Sequence, residues 1–354
     1  MNMKLNALLL ASLALTACGG GSNSSPSAGG NTGGNTGGSN NDFTVTVAVT
    51  GAGDVSRSEQ TLSSGDSFKF TVTPDALMLT KSVSSDSCEL EVVGDDIYVN
   101  NVTESCTVNV SFDDCTDCYT ADDLVLDYDT YRPVMERNCV RGGLVATGSD
   151  NVPWHNLCQA AETLATMLEY NSVVVDELQT QGAITAVFGP DEGVCDLPYF
   201  DFIEGQPQCD TAEGGLGGTS EHPVTACSAK TLSATNDAFG RGEEDGENTC
   251  VHELAHTIMN VAIDEQTRND IVDRYHDILN EGGDLWIRDN GERAFALQNE
   301  DELFAEVTQS YFNANVAIDA FNHVGVNGAD ELADYDPITF ELVDRIFMQT
   351  ADLK

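Results

Sequence analysis

Basic residues are scarce: 15 Lys+Arg stand against 59 Asp+Glu in 354 residues, a formal net charge of −44. Such a surface repels phosphate backbones and anionic lipid headgroups, so nucleic acid is not an expected partner. Long hydrophobic runs are missing as well. The apolar run through Leu8, Leu9, Leu10 and Leu13 is too short to span a bilayer. The glycine-rich Gly214-Gly-Leu-Gly-Gly218 has no Lys-Ser/Thr after it and does not fit GxGxxG, so it reads as an ordinary tight turn, not a phosphate cradle. Only one CxxC occurs, Cys115-Thr-Asp-Cys118, which argues against a four-cysteine zinc site. What is present is 41% hydrophobic residues, enough for a real core, in a length that suggests about two domains. The acidic excess suits a salty medium and the collection of divalent cations, Ca2+ among them, but does not point to a reaction.

Lys4, the short apolar run and Leu15-Thr-Ala-Cys18 read as a secretion signal over residues 1–18. The Leu-Thr-Ala-Cys segment resembles the bacterial lipobox. That resemblance implies cleavage before Cys18, lipidation of Cys18 and anchoring to a membrane through several acyl chains. Gly19 is not the aspartate that retains many such lipoproteins in the inner membrane, so the expected address is the outer membrane. With Cys18 lipidated, ten of the 11 cysteines remain, an even number that fits an oxidised, exported protein. Sequence neighbours are expected to pair, Cys88 with Cys106 and Cys195 with Cys209 first.

Residues 19–41 are almost wholly Gly, Ser, Asn and Thr and read as a flexible linker. Residues 42–113 then alternate apolar and polar, as at Phe43, Val45, Val47 and Val49 or Phe68, Phe70 and Val72, which predicts a small antiparallel β domain. Through Gly51-Ala-Gly-Asp-Val-Ser56, Ser64-Gly-Asp-Ser-Phe-Lys-Phe-Thr-Val-Thr-Pro74 and Cys106-Thr-Val-Asn-Val-Ser-Phe112 it resembles the internalin-type β repeats of bacterial surface proteins. The resemblance implies a spacer or adhesive module. Beyond Cys118 the apolar period lengthens: Leu157, Ala160, Ala161, Leu164 and Leu168 predict a helix, with a second through Val174, Val175 and Leu178. Ala183-Ile-Thr-Ala-Val-Phe188 reads as a buried strand, and 189–248, rich in Gly, Pro and acids, as site walls or disulfide-pinned loops.

Residues 252–256 are His-Glu-Leu-Ala-His, the HExxH pattern. Four residues is about one helical turn, so His252 and His256 project from one face at a spacing a single Zn2+ bridges. Glu253 is offset around the helix, where its carboxylate can reach a water at the metal's open position, and is the natural general base. A helix near residues 249–261 is expected. A catalytic zinc needs a third protein ligand. In Asn299-Glu-Asp-Glu-Leu-Phe-Ala-Glu306, on a helix expected near 300–313, Glu302 and Glu306 sit one turn apart on one side. Two such carboxylates repel unless a cation or hydrogen-bond donors compensate. One would bind the metal and the other orient a histidine.

These two motifs together resemble the catalytic domain of gluzincin metallopeptidases of the anthrax lethal factor type, over about residues 155–350. The resemblance implies Glu302 as third zinc ligand and Glu306 as the residue that orients a histidine. Asp336-Pro-Ile-Thr-Phe-Glu-Leu-Val-Asp-Arg-Ile-Phe347 resembles the closing helix of that domain, and Asp196-Leu-Pro-Tyr199 and Gly215-Leu-Gly-Gly-Thr219 resemble upstream segments. One position departs from the family: seven residues before Glu302, where a tyrosine hydroxyl steadies the developing oxyanion, stands Phe295. A phenyl ring cannot donate, and Tyr311, Tyr275, His276 and His323 are the side chains considered to replace it. The expected architecture is α+β: a small all-β domain, then a zincin-like metallopeptidase domain over 115–354. The expected function is that of a zinc endopeptidase acting on protein or peptide substrates at the cell surface, with a catalytically silent zinc-binding or adhesion lipoprotein as the alternative.

Overall fold

A computed structural model describes residues 42–75, 77–93, 95–122, 124, 134–205, 209, 214–232, 239, 247–282, 285–288, 291–315 and 324–348. The expected signal with Cys18, the expected linker at 19–41 and His323 lie outside the described residues.

Eight strands build the first part: β1 (Asp42–Thr50), β2 (Gly53–Val55), β3 (Glu59–Ser63), β4 (Phe68–Pro74), β5 (Met78–Ser85), β6 (Glu89–Val93), β7 (Asp96–Asn100) and β8 (Cys106–Asp114). They form two four-stranded sheets, ordered β3-β1-β8-β5 and β2-β4-β7-β6. The inward residues of both sheets, Val45, Val47, Phe68, Phe70, Val72, Ile97, Val99, Val108, Val110 and Phe112, share one core. Period-two alternation therefore does what it should, placing every second side chain inside. The pairing is antiparallel with one exception. β1 and β8 run parallel, in register from Val45↔Cys106 to Thr50↔Ser111.

The larger part carries β9 (Cys118–Thr120), β10 (Arg137–Arg141), β11 (Leu144–Gly148), α1 (Trp154–Met167), α2 (Ser172–Thr180), β12 (Ile184–Phe188), β13 (Gly215–Leu216) and β14 (Val224–Ser228). Among the described residues five helices follow: α3 (Thr249–Val261), α4 (Glu265–Glu281), α5 (Glu300–Tyr311), α6 (Ala329–Tyr335) and α7 (Pro337–Phe347). The fold is thus α+β. A six-stranded sheet, ordered β13-β14-β12-β11-β10-β9, is covered on both faces. On one side Leu144, Ala146, Val187 and Cys227 meet Leu157, Leu164, Leu254 and Ile258 of α1 and α3. On the other, Val145, Ile184, Ala186, Phe188 and Val224 meet Val194, Leu197, Phe200 and Ile203. Double coverage explains why β11, β12 and β14, mutually parallel, are buried along their whole length.

All ten cysteines beyond Cys18 are in disulfides: Cys88–Cys106, Cys115–Cys158, Cys118–Cys139, Cys195–Cys209 and Cys227–Cys250. Both expected neighbour pairs occur. The CxxC cysteines do not pair with each other; Cys115 reaches α1 and Cys118 reaches β10, so this cluster of sulfurs is cystine and not a metal site. The boundary expected near 113–115 separates two hydrophobic clusters. Leu79 and Cys115 nevertheless join the larger one, and the described residues from 42 to 348 pack as one compact unit.

α3 and α5 lie antiparallel, tied at both ends. The Asn248 N–H donates to the Ala314 carbonyl at 2.8 Å beside a bridge between Glu247 and Asn315. At the other end Arg268 donates to the Met259 carbonyl, to Asn260 and to Asp301. Behind them, buried Asp336 at the start of α7 accepts from Arg274 at 2.8 Å and from the Trp286 indole at 3.1 Å, locking the closing helix in place. Phe304 stacks on Phe347 across the α5–α7 contact.

Candidate metal centre

α3 forms because Val251, Leu254, Ala255, Ile258 and Met259 make one continuous apolar face, all buried. That leaves His252, Glu253 and His256 on the side of the helix that is only partly buried. The Cys227–Cys250 disulfide fastens the first turn of this helix to β14, two residues before His252. α5 starts at Asn299, whose side chain accepts from the Glu302 N–H at 2.8 Å. This cap fixes the turn that carries Glu302.

The two helices bring three donor atoms together. His252 Nε2 lies 3.1 Å from His256 Nε2 and 3.1 Å from Glu302 Oε2, and His256 Nε2 lies 3.3 Å from the same oxygen. Zinc with bonds near 2.0–2.1 Å and tetrahedral angles holds its ligands roughly 3.3 Å apart. The triangle therefore has the edge lengths of one face of such a tetrahedron, and the donor set, two imidazoles and a carboxylate, is one a catalytic zinc takes. Among the described residues this is the one group of possible metal ligands not tied up in disulfides.

The electrostatics fit a cation site. Burial alone would raise the Glu302 carboxyl, but its hydrogen bonds with His252 and His256 hold it down at about 2. Burial works against a charged His252, yet hydrogen bonds to Glu302 and Glu306 win and raise it well above the usual histidine range. Positive charge is thus strongly favoured where the three groups meet, and a metal binding there would displace a proton. On the far side of the ring, His252 Nδ1 donates to Gln309 Oε1 at 3.0 Å, with Glu306 Oε1 at 3.3 Å. Gln309 and Glu306 are 0% and 3% exposed, so neither partner competes with bulk water.

Glu253 sits beside the trio. Burial pushes its carboxyl above the usual range; the neighbouring His252 and His256 pull it down and Glu302 raises it further. The Gly217 backbone also reaches this carboxylate by a hydrogen bond. That contact revises the reading of Gly214 to Gly218. The segment is no ordinary tight turn: Gly215–Leu216 is β13, the edge strand antiparallel to β14, laid across α3. A Cβ on Gly215 would fall 2.6 Å from Glu253 Cγ, and one on Gly217 would collide with the His256 Cβ. Glycine is required here by the closeness of the helix.

Phe295 lies against the site, its ring centroid 6.3 Å from that of His252. Of the side chains considered in its stead, Tyr311 donates to Asp344 at 2.8 Å and the Tyr275 hydroxyl lies 3.4 Å from the Leu297 and Gln298 carbonyls. The His276 ring packs beside Tyr275. Gln309 was not singled out by the sequence, although 302, 306 and 309 fall on one helical stripe.

No protein-family model matches the chain, and no curated protein matches it significantly.

Proposed function

We propose that the chain is a zinc-dependent endopeptidase of zincin-like fold, lipid-anchored through Cys18 at the bacterial outer membrane. The observation that carries this reading is the triangle of His252 Nε2, His256 Nε2 and Glu302 Oε2, with edges of 3.1, 3.1 and 3.3 Å. Bound by these three residues, zinc would supply Lewis acidity, polarising a peptide carbonyl and acidifying water. Glu253 takes the proton from the attacking water as its oxygen bonds to the carbonyl carbon, then gives that proton to the leaving amine as the C–N bond breaks. Its raised affinity for a proton suits both halves of that exchange. Glu306 and Gln309 hold the His252 ring.

A second reading, a catalytically silent zinc protein used in binding or adhesion, is favoured by Phe295. It offers no hydroxyl to the site, and the hydroxyls of Tyr275 and Tyr311 point to other partners. Digestion of a denatured peptide library, with and without a chelator, separates the two. Cleavage that the chelator abolishes and Glu253→Gln lacks supports the peptidase; a zinc-loaded wild type that cleaves nothing supports the silent protein.

A further inference from the structure

We infer that Gln309 is a positioning residue of the metal centre, its amide fixing the tautomer and orientation of His252 as a relay between that ring and Glu247. The inference rests on the metal-centre reading and adds a residue outside both the HExxH pattern and the Glu302/Glu306 pair.

The amide has only one workable orientation. Gln309 Nε2 donates to Glu247 Oε2 at 3.1 Å and to the Asn248 carbonyl at 3.3 Å, both of which can only accept. The amide nitrogen must face them, so Oε1 must face His252 Nδ1, 3.0 Å away. An amide oxygen accepts and cannot donate, so Nδ1 carries a hydrogen. Nε2, the atom that faces His256 and Glu302, is then the one left to offer a lone pair to a cation. The far end of the relay is also held: Glu247 and Asn248 are paired with Asn315 and Ala314, so the strand-like segment before α3 is fastened to the one after α5.

The same geometry explains why glutamine occupies position 309. A carboxylate there would meet Glu247 Oε2 and the Asn248 carbonyl with no hydrogen to share. An aliphatic side chain would leave the His252 N–H to Glu306 alone, the longer of its two contacts at 3.3 Å. Only an amide of this length accepts at one end and donates at the other.

The test uses the full chain, zinc affinity by chelator competition, and the visible spectrum of the Co2+-loaded protein. Gln309→Leu and Gln309→Glu should each weaken zinc binding by about 10- to 100-fold and alter the Co2+ bands. The double variant Gln309→Glu/Glu247→Gln gives the new carboxylate a donor at position 247 and leaves the Asn248 carbonyl as the one acceptor facing it, so it should recover part of the affinity and move the bands back toward the wild type. A folded Gln309→Leu with wild-type affinity and spectrum overturns the inference. So does a double variant no better than Gln309→Glu, which decides the matter if Gln309→Leu fails to fold. A wild type that takes up no zinc overturns the metal-centre reading itself, and is recognised before any variant is made.

Discussion

Gly217 lies against His256 with no room for a methyl group between them. The segment leaving β13 is thereby pressed onto the face of α3 that carries His252, Glu253 and His256, and the Gly217 backbone reaches Glu253. Gly217→Ala should force strand and helix apart, costing about 1–3 kcal/mol as overpacking does. Thermal melts and zinc titration read both effects; an unchanged melting temperature with unchanged zinc affinity would contradict the packing described.

Removing any one of His252, His256 and Glu302 leaves two donors where a catalytic zinc needs three. His252→Ala, His256→Ala and Glu302→Ala should each abolish stoichiometric zinc in the purified protein. Elemental analysis after dialysis gives the answer, and full zinc retention by Glu302→Ala would remove that carboxylate from the site.

Glu253→Gln keeps the shape of the side chain but removes the carboxylate proposed as the base. Zinc content should stay at the wild-type level while peptide turnover falls by about 10²–10⁴-fold. Wild-type turnover in this variant would assign the proton transfer to another group.

Phe295→Tyr places a hydroxyl on the ring that lies beside His252. One well-aimed oxyanion donor is worth about 10²–10³-fold in turnover, so the variant should be faster with the same metal content. Equal or lower turnover at equal zinc would show that residue 295 does not face the reacting carbonyl.

His155, in the first turn of α1, is pushed down to about 4 from 6.5 by burial. Its folded pKa lies below its unfolded one, so between those values the unfolded chain binds more protons. This group therefore leaves stability unaffected above pH 6.5 and subtracts from it as the pH drops from there toward 4. The loss is on the order of 2 kcal/mol, allowing for partial exposure of the ring. From neutral to acid pH the melting temperature of the wild type should fall further than that of His155→Gln; parallel curves would refute the assignment.

Local pattern carried the reading furthest where one face of one element decided the outcome. The helices expected near 249–261 and 300–313 are legible in the sequence, and the structure places them as Thr249–Val261 and Glu300–Tyr311. α4 escaped notice because its inward residues, Ile271, Tyr275 and Ile278, are scattered among acids, and its buried Arg274 is polar in sequence and inward in space. Gly215 and Gly217 look like a turn in the sequence because glycine marks a turn and a close approach with the same letter; only the helix beside them tells which. The distant disulfides, Cys115–Cys158 and Cys227–Cys250, depend on how sheet and helices stack, which spacing does not encode. Gln309 shares a stripe with two acids, but an amide advertises nothing until its partners are in view.

The parallel pairing of β1 with β8 has a mechanical consequence. The chain enters the β module at one end of this pair and leaves at the other, so tension between those ends runs along the strands, across the hydrogen bonds that join them. The ladder is loaded in shear: its bonds must fail together, where a hairpin pulled from one end would unzip them singly. Just past β8, Cys115 hands the load through a disulfide to α1. A pull on the upstream chain is therefore resisted by the whole length of two strands before it reaches the sheet beside which His252, His256 and Glu302 converge.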